Sequence, residues 1–212
     1  MSLNIKNKLK IAVGVSGGGR SLANLIEKQS KLFYDVALVF SSSPNIGANA
    51  IAKNAQLPLL VEDFSAKNQA RASENLYRGL VEHKIDLVVL AGFLKLLPLN
   101  SDWPGQIINI HPALLPKYGG KGMHGHYVHE AVLAAHEKES GASVHFVNAR
   151  YDEGQVIAQS RVAVSAGETV ASLAAKVFAS ECSLLPWVIG ELAQNRLPKD
   201  RMVIFNGPET TS

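Results

Sequence analysis

Residues 11–22, IAVGVSGGGRSL, decide the fold. The first five are apolar except for one glycine and do not alternate, the pattern of a strand buried on both faces. Gly17-Gly18-Gly19 ends the run, and Leu22, Leu25 and Ile26 then recur at helical spacing across 21–31. The alternation continues outward. Strands are expected at 35–40 (DVALVF), 57–61, 86–90 (DLVVL) and 106–110, with an alanine-rich helix at 46–56 and a long amphipathic helix at 66–83. Strands apolar on both faces and separated by helices make a parallel sheet covered on both sides. Residues 8–110 therefore read as an α/β, Rossmann-like, doubly wound and mainly parallel unit.

Beyond residue 110 the character changes. Residues 112–125 are rich in Pro, Gly and Lys, which marks a long functional loop rather than a connector. A helix is expected at 126–138, alternating strands at 142–148 and 155–164 joined by the loop NARYDEG, and a helical region at 169–195 with Pro186 as a bend point. No internal repeat or linker interrupts the chain, so one domain spanning 1–212 is expected, its halves 8–110 and 111–205.

Composition bounds the function. A 212-residue chain with 47% hydrophobic and 18% charged residues suits a globular enzyme and excludes disordered, collagenous and coiled-coil readings. The net charge of +3 is too small to argue for nucleic acid. The lone cysteine, Cys182, forbids an internal disulfide, fits a reducing compartment and reads as a small packed residue. The longest apolar run, 87–94, is far short of the roughly 20 residues of a membrane span. A cytoplasmic protein without membrane or nucleic-acid partners is expected.

The glycine loop admits several readings. Its glycines let a backbone approach a ligand, and the helix that follows offers free N–H groups and a positive dipole end to an anion. Arg20 adds a fork of donors and Ser21 a hydroxyl. A dinucleotide fingerprint lacks its third glycine, since Leu22 stands there, and no carboxylate lies between Asp35 and Glu62. A nucleotide-triphosphatase phosphate loop lacks its lysine, and Asp86 stands at the wrong end of its strand to hold magnesium. A phosphate monoester at the helix end and a plain tight turn remain.

Asn109 and His111 stand two apart at the end of an apolar strand, so both side chains share one face at the crevice where such sheets bind ligands. A capping asparagine and a satisfied histidine are the bland alternative. Asp152, in the YDEG turn, is by spacing no better a candidate than Glu153. His124, His126 and His129 hint at zinc, but no cysteine joins them and no metal is expected. His145 reads equally as a site-lining or a satisfied strand residue.

Five segments, IAVGVSGGGRSL, DLVVLAGFLKLL, IINIHPALLPKYGGKG, SVHFV and YDEGQVIAQ, together resemble the phosphoribosylglycinamide formyltransferases, a branch of the folate-dependent formyltransferases, across about residues 8–205 and in the family's order. The resemblance implies the formyltransferase fold, with a phosphate-binding half at 8–110 and a catalytic, folate-side half at 111–205. It implies transfer of a formyl group from N10-formyltetrahydrofolate, as co-substrate, to the amine of glycinamide ribonucleotide in purine synthesis, by a monomer or homodimer. It assigns catalysis to Asn109, His111 and Asp152, the substrate phosphate to Gly19, Arg20 and Ser21, and a substrate contact to Glu181. Folate contacts fall on Leu94, Lys95, Leu96, Leu97, Asn109 and Arg71. The chain departs from the family where Arg20-Ser21 replaces a common Ser-Asn and Lys95 a common arginine. A hydrolase of formyltetrahydrofolate would share the Asn-His-Asp set but carry an added N-terminal domain. Transfer-RNA formyltransferases are longer, sugar formyltransferases lack this glycine loop, and a regulatory nucleotide-binding module would not need the three polar residues. On this reading, an imidazolium at His111, favoured by a nearby Asp152, donates to the oxyanion of the intermediate.

Overall fold

A computed structural model describes residues 8–198 and 200–207; the remainder of the expected 1–212 domain lies outside the described residues. Strands β1 (Leu9–Val15), β2 (Tyr34–Ser41), β3 (Leu59–Val61), β4 (Leu87–Leu90), β5 (Gln106–His111), β6 (Glu139–Phe146), β7 (Val156–Ala163) and β8 (Val203–Ile204) form one sheet in the order β3-β2-β1-β4-β5-β6-β7-β8. The first five are parallel, as expected from their two-sided burial. β6 runs antiparallel to β5 and β7, and the short β8 runs parallel to β7. The sheet thus passes through both halves of the chain without a break.

Helices α1 (Arg20–Lys28), α2 (Gly47–Asn54), α3 (Gln69–Glu82), α4 (His126–Ala134) and α5 (Val170–Ala193) cover the two faces. Ile11, Val13 and Val15 join Leu22, Leu25, Ala48, Val132 and Leu173 in one core layer, with α1, α2, α4 and α5. Ala12, Leu38, Val88 and Leu90 join Ala72, Leu76 and Leu80 in the other, under α3. This is the period-two alternation of a strand buried on both sides. Asp86, excluded above as a magnesium ligand, accepts the Lys10 N–H at 2.8 Å and so ties the start of β4 to β1.

By length and composition α5 is apolar enough to cross a membrane, with mean hydropathy 1.3; here it packs on β6, β7, α1 and α4. Thr169 starts it, its side chain accepting the Ser172 N–H in a capping box. Pro186 sits inside it and has no N–H for the Cys182 carbonyl one turn back. That carbonyl instead accepts from Asn24 Nδ2 at 2.9 Å and Lys28 Nζ at 2.8 Å, which fastens α5 to α1.

Candidate active site

A cavity of about 890 Å³ opens at the carboxyl ends of β1, β4 and β5. The sheet order reverses at β1, and the crevice outside such a switch point is where open α/β sheets take ligands. Its walls are the glycine loop after β1, residues 90–97 after β4, the end of β5, the 120–126 loop, the YDEG turn and one side of α5.

Four polar side chains meet at its β5 end. The β5–β6 register sets Asn109 opposite His145 and His111 opposite Ser143. His145 Nδ1 lies 2.8 Å from the Phe146 carbonyl. A carbonyl only accepts, so Nδ1 carries the proton and Nε2 is free to accept from Asn109 Nδ2 at 3.1 Å. The same amide nitrogen donates more weakly to Asp152 Oδ1, at 3.4 Å. By the same logic His111 Nε2, 2.8 Å from the Tyr118 carbonyl, carries a proton, and its Nδ1 faces Asp152 Oδ2 at 3.4 Å. The Gly120 N–H donates to that Oδ2 at 2.9 Å.

The YDEG turn brings Asp152 here for local reasons. Asp152 adopts a left-handed backbone (φ 57°), which aspartate tolerates well. A Cβ on Gly154 would lie 1.6 Å from the Phe146 carbonyl oxygen, so only glycine lets the turn close onto β6.

At the other end of the cavity, Gly19 is required by packing. Its φ is +81°, and a Cβ there would come within 2.7 Å of the Ala48 backbone on α2. At Gly17 and Gly18 a Cβ would meet nothing, and both line the cavity. No side chain caps α1 and its first turn holds no acid, so its positive end is available to an anion. The Arg20 guanidinium lies 4.0 Å over the Phe178 ring on α5.

Residues 9–189 match the model of a protein family described as formyl transferase. The chain belongs to the formyl transferase family. It is 37% identical to a chloroplastic phosphoribosylglycinamide formyltransferase of Arabidopsis thaliana over 89% of this chain and 66% of that protein. It is 31% identical to the phosphoribosylglycinamide formyltransferase of Haemophilus influenzae over 93% of this chain and 94% of that one. The solved glycinamide ribonucleotide transformylase 1 of Symbiobacterium toebii superposes with a TM-score of 0.82 at 30% identity, covering 92% and 93% of the two chains. The chain spans 66% and 62% of the length of the two chloroplastic relatives from Arabidopsis and Vigna unguiculata.

In this member of the formyl transferase family the residues singled out from sequence fall mostly on one cavity. Asn109, His111, Asp152, Gly19, Arg20, Ser21, Glu181 and residues 94–97 all line it. Arg71 does not; it stands exposed on α3. Gln69, near it, donates to the Leu96 carbonyl at 2.9 Å and braces the 94–97 segment from outside. His124 and His126 flank the Tyr127 ring, and among the described residues no three His, Cys, Asp or Glu side chains gather as a metal would need.

Burial reshapes the charges. It pushes the His111 imidazole below its ordinary value, outweighing Asp152 and the Tyr118 carbonyl, which pull upward. The resting imidazole is therefore neutral near pH 7, a correction to the imidazolium expected from Asp152 alone. Burial pushes the Asp152 carboxyl up, but His145 Nε2 at 3.4 Å, the His111 charge and the Gly120 N–H together hold it below the usual carboxylate range. Burial pushes Glu181 up to about 7, against the pull of Arg20.

Three structural participants escaped the sequence reading. His145, left open there, bridges Asn109 and Asp152. Ser143 Oγ donates to the Ala113 carbonyl at 2.6 Å and accepts from the Leu115 N–H and Gln159 Nε2, pinning the chain just past His111. Ser16 Oγ accepts from the Leu94 N–H at 3.0 Å and from Ser42 Oγ at 2.8 Å, joining the loops after β1, β2 and β4. The shared face of Ser143 and His145 was the available signal; the register that aims it was not.

Proposed function

We propose that this formyl transferase moves the formyl group of N10-formyltetrahydrofolate to the amine of 5'-phosphoribosylglycinamide, giving formylglycinamide ribonucleotide and tetrahydrofolate. One observation carries the reading: Asn109, His111 and Asp152 line the same cavity as the uncapped α1 terminus. A phosphate at one end and an acyl centre at the other then belong to one reaction. Gly19, Arg20 and Ser21 hold the phosphate and Glu181 contacts the ribonucleotide. The 94–97 segment and Asn109 hold the folate, and Arg71, outside the cavity wall, is not assigned to it. The compartment is the cytoplasm, and the partners are these two small molecules.

The chemistry follows from the charge states. The neutral amine attacks the formyl carbon, and the carbonyl oxygen becomes an oxyanion. The Asn109 amide proton, weakly held on Asp152, is free to donate to it, the term usually largest in acyl transfer. The amine nitrogen gives up its proton to His111, directly or through a water on Asp152, and the resulting imidazolium is stabilised by the Asp152 carboxylate. The proton passes to N10 as the carbon–N10 bond breaks. No covalent bond to the enzyme is needed.

The test is formyl transfer measured with and without the ribonucleotide. Consumption of formyltetrahydrofolate should require it; turnover unchanged by its omission makes the enzyme a hydrolase. The ribonucleotide at about 100 times its Kd should also stabilise the fold by about 2.7 kcal/mol, whereas NAD and ATP should not.

A further inference from the structure

We propose that Glu137, outside the substrate cavity, is a positioning residue for His111 and acts through Tyr118. Glu137 lies in the connection from α4 to β6 and accepts from the Tyr118 hydroxyl at 2.9 Å and from Lys117 Nζ at 2.7 Å. It lines a second cavity of about 270 Å³, bounded by residues 114–118 of the same loop. The Tyr118 ring is thus held behind the loop while its main-chain carbonyl faces forward, 2.8 Å from His111 Nε2.

That carbonyl does two things. It keeps the neutral imidazole protonated on Nε2, so Nδ1 presents its lone pair toward Asp152 and is the atom that takes a proton. It also favours the charged form of the ring, because a carbonyl accepts from imidazolium more strongly than from imidazole. The other groups that bear on His111 are Asp152 from the YDEG turn, His145 from β6 and His129 from α4; none of them touches Glu137, although Asp152 accepts from Gly120 on the same loop. Tyr118 stands immediately before the glycine-rich tip of the loop, where Gly119, Gly120 and Gly122 carry no side chain to pack. Ser143 and Gln159 hold the loop at Leu115, and the Tyr118 hydroxyl on Glu137 adds an anchor next to the carbonyl that faces His111. The Lys117–Glu137 pair, with the lysine side chain 66% exposed, adds little by itself.

The experiment compares Glu137→Ala, Glu137→Gln, Tyr118→Phe and Lys117→Ala in the full chain. His111 is followed by imidazole NMR titration and the variants by kinetics of formyl transfer. Glu137→Ala and Tyr118→Phe should lower kcat by on the order of 10- to 100-fold with little change in either KM, as expected of a catalytic group displaced by a fraction of an ångström. Both should move the His111 titration, and the limb of the pH–rate profile that follows it, to lower pH. Glu137→Gln keeps an acceptor for the tyrosine hydroxyl and should restore most of the rate; Lys117→Ala should stay close to the parent protein. An unshifted His111 titration in Glu137→Ala and Tyr118→Phe overturns the proposal, as does a failure of Glu137→Gln to recover in a protein whose Tm is unchanged. The kinetic arm rests on the proposed formyl transfer, but the titration does not. A parent protein without transfer activity but with the shift in its variants refutes the reaction and leaves the positioning role standing.

Discussion

At the α1 end the cavity is lined by five consecutive residues, Gly17 to Ser21, which open the helix. At the β5 end, Asn109, His111, His145 and Asp152 arrive from two strands and a turn, and the Asn109–Asp152 contact closes 43 residues of chain. The first end offers main-chain groups, which any residue supplies once the backbone path is set. The second works through side-chain atoms held by one another. Losing a side chain should therefore be mild at the first end and severe at the second.

The largest effects belong to the β5 end. Asn109→Ala and His111→Ala should each lower kcat by about 100- to 1,000-fold, the first as one lost donor to an oxyanion and the second as a lost acid–base group. Far-UV circular dichroism should be nearly unchanged in both; His111, 3% exposed and bonded to the Tyr118 carbonyl, should also lose some Tm on truncation. Near-parental turnover in either would remove that residue from the chemistry.

Asp152→Asn should cost on the order of 100-fold in kcat, as for loss of a partner to an acid–base group. Asparagine tolerates the left-handed backbone, so the turn should survive. The carboxylate raises the His111 value against the dominant effect of burial. Its removal should move the His111 titration to still lower pH, and the rate profile with it. A titration that stays put or moves to higher pH would uncouple the two groups.

At the α1 end, Arg20→Ala should raise KM for the ribonucleotide by less than about tenfold, or under 1.4 kcal/mol, and leave kcat nearly unchanged. On the proposed reading the main-chain N–H groups hold most of the phosphate, and the guanidinium already rests on Phe178. A fall in kcat as large as that of His111→Ala would erase the contrast between the two ends. The smallest effect lies outside both. Thr169→Ala removes the α5 cap and should lower stability by about 1 kcal/mol in urea unfolding, with kcat intact.

Much of this was legible in the chain. Ile11–Val15 and Leu87–Leu90 read as two-sided strands because no polar residue interrupts them, and they are the central parallel pair. The glycine cluster and the helical spacing from Leu22 onward located the α1 terminus. β8 was not foreseen, since a two-residue strand has no periodicity to detect; it exists because β7 offers it an edge. His145 could not be resolved as site or scaffold, because strand alternation gives its face but not the residue opposite. The protonation of His111 was expected from its charged neighbour, and burial, which sequence does not quantify, reversed it.

The residues by themselves determined the layered α/β sheet, the anion-ready turn and the pairing of Asn109 with His111 on one face. These depend on interactions within a few residues, where steric limits and hydrophobic period leave few choices. Tertiary structure alone decided that Asn109 meets His145, that Asp152 closes on both histidines and that the Tyr118 carbonyl meets the His111 imidazole. Those contacts are set by antiparallel register and by loop closure across tens of residues, and desolvation then sets the charge each group carries.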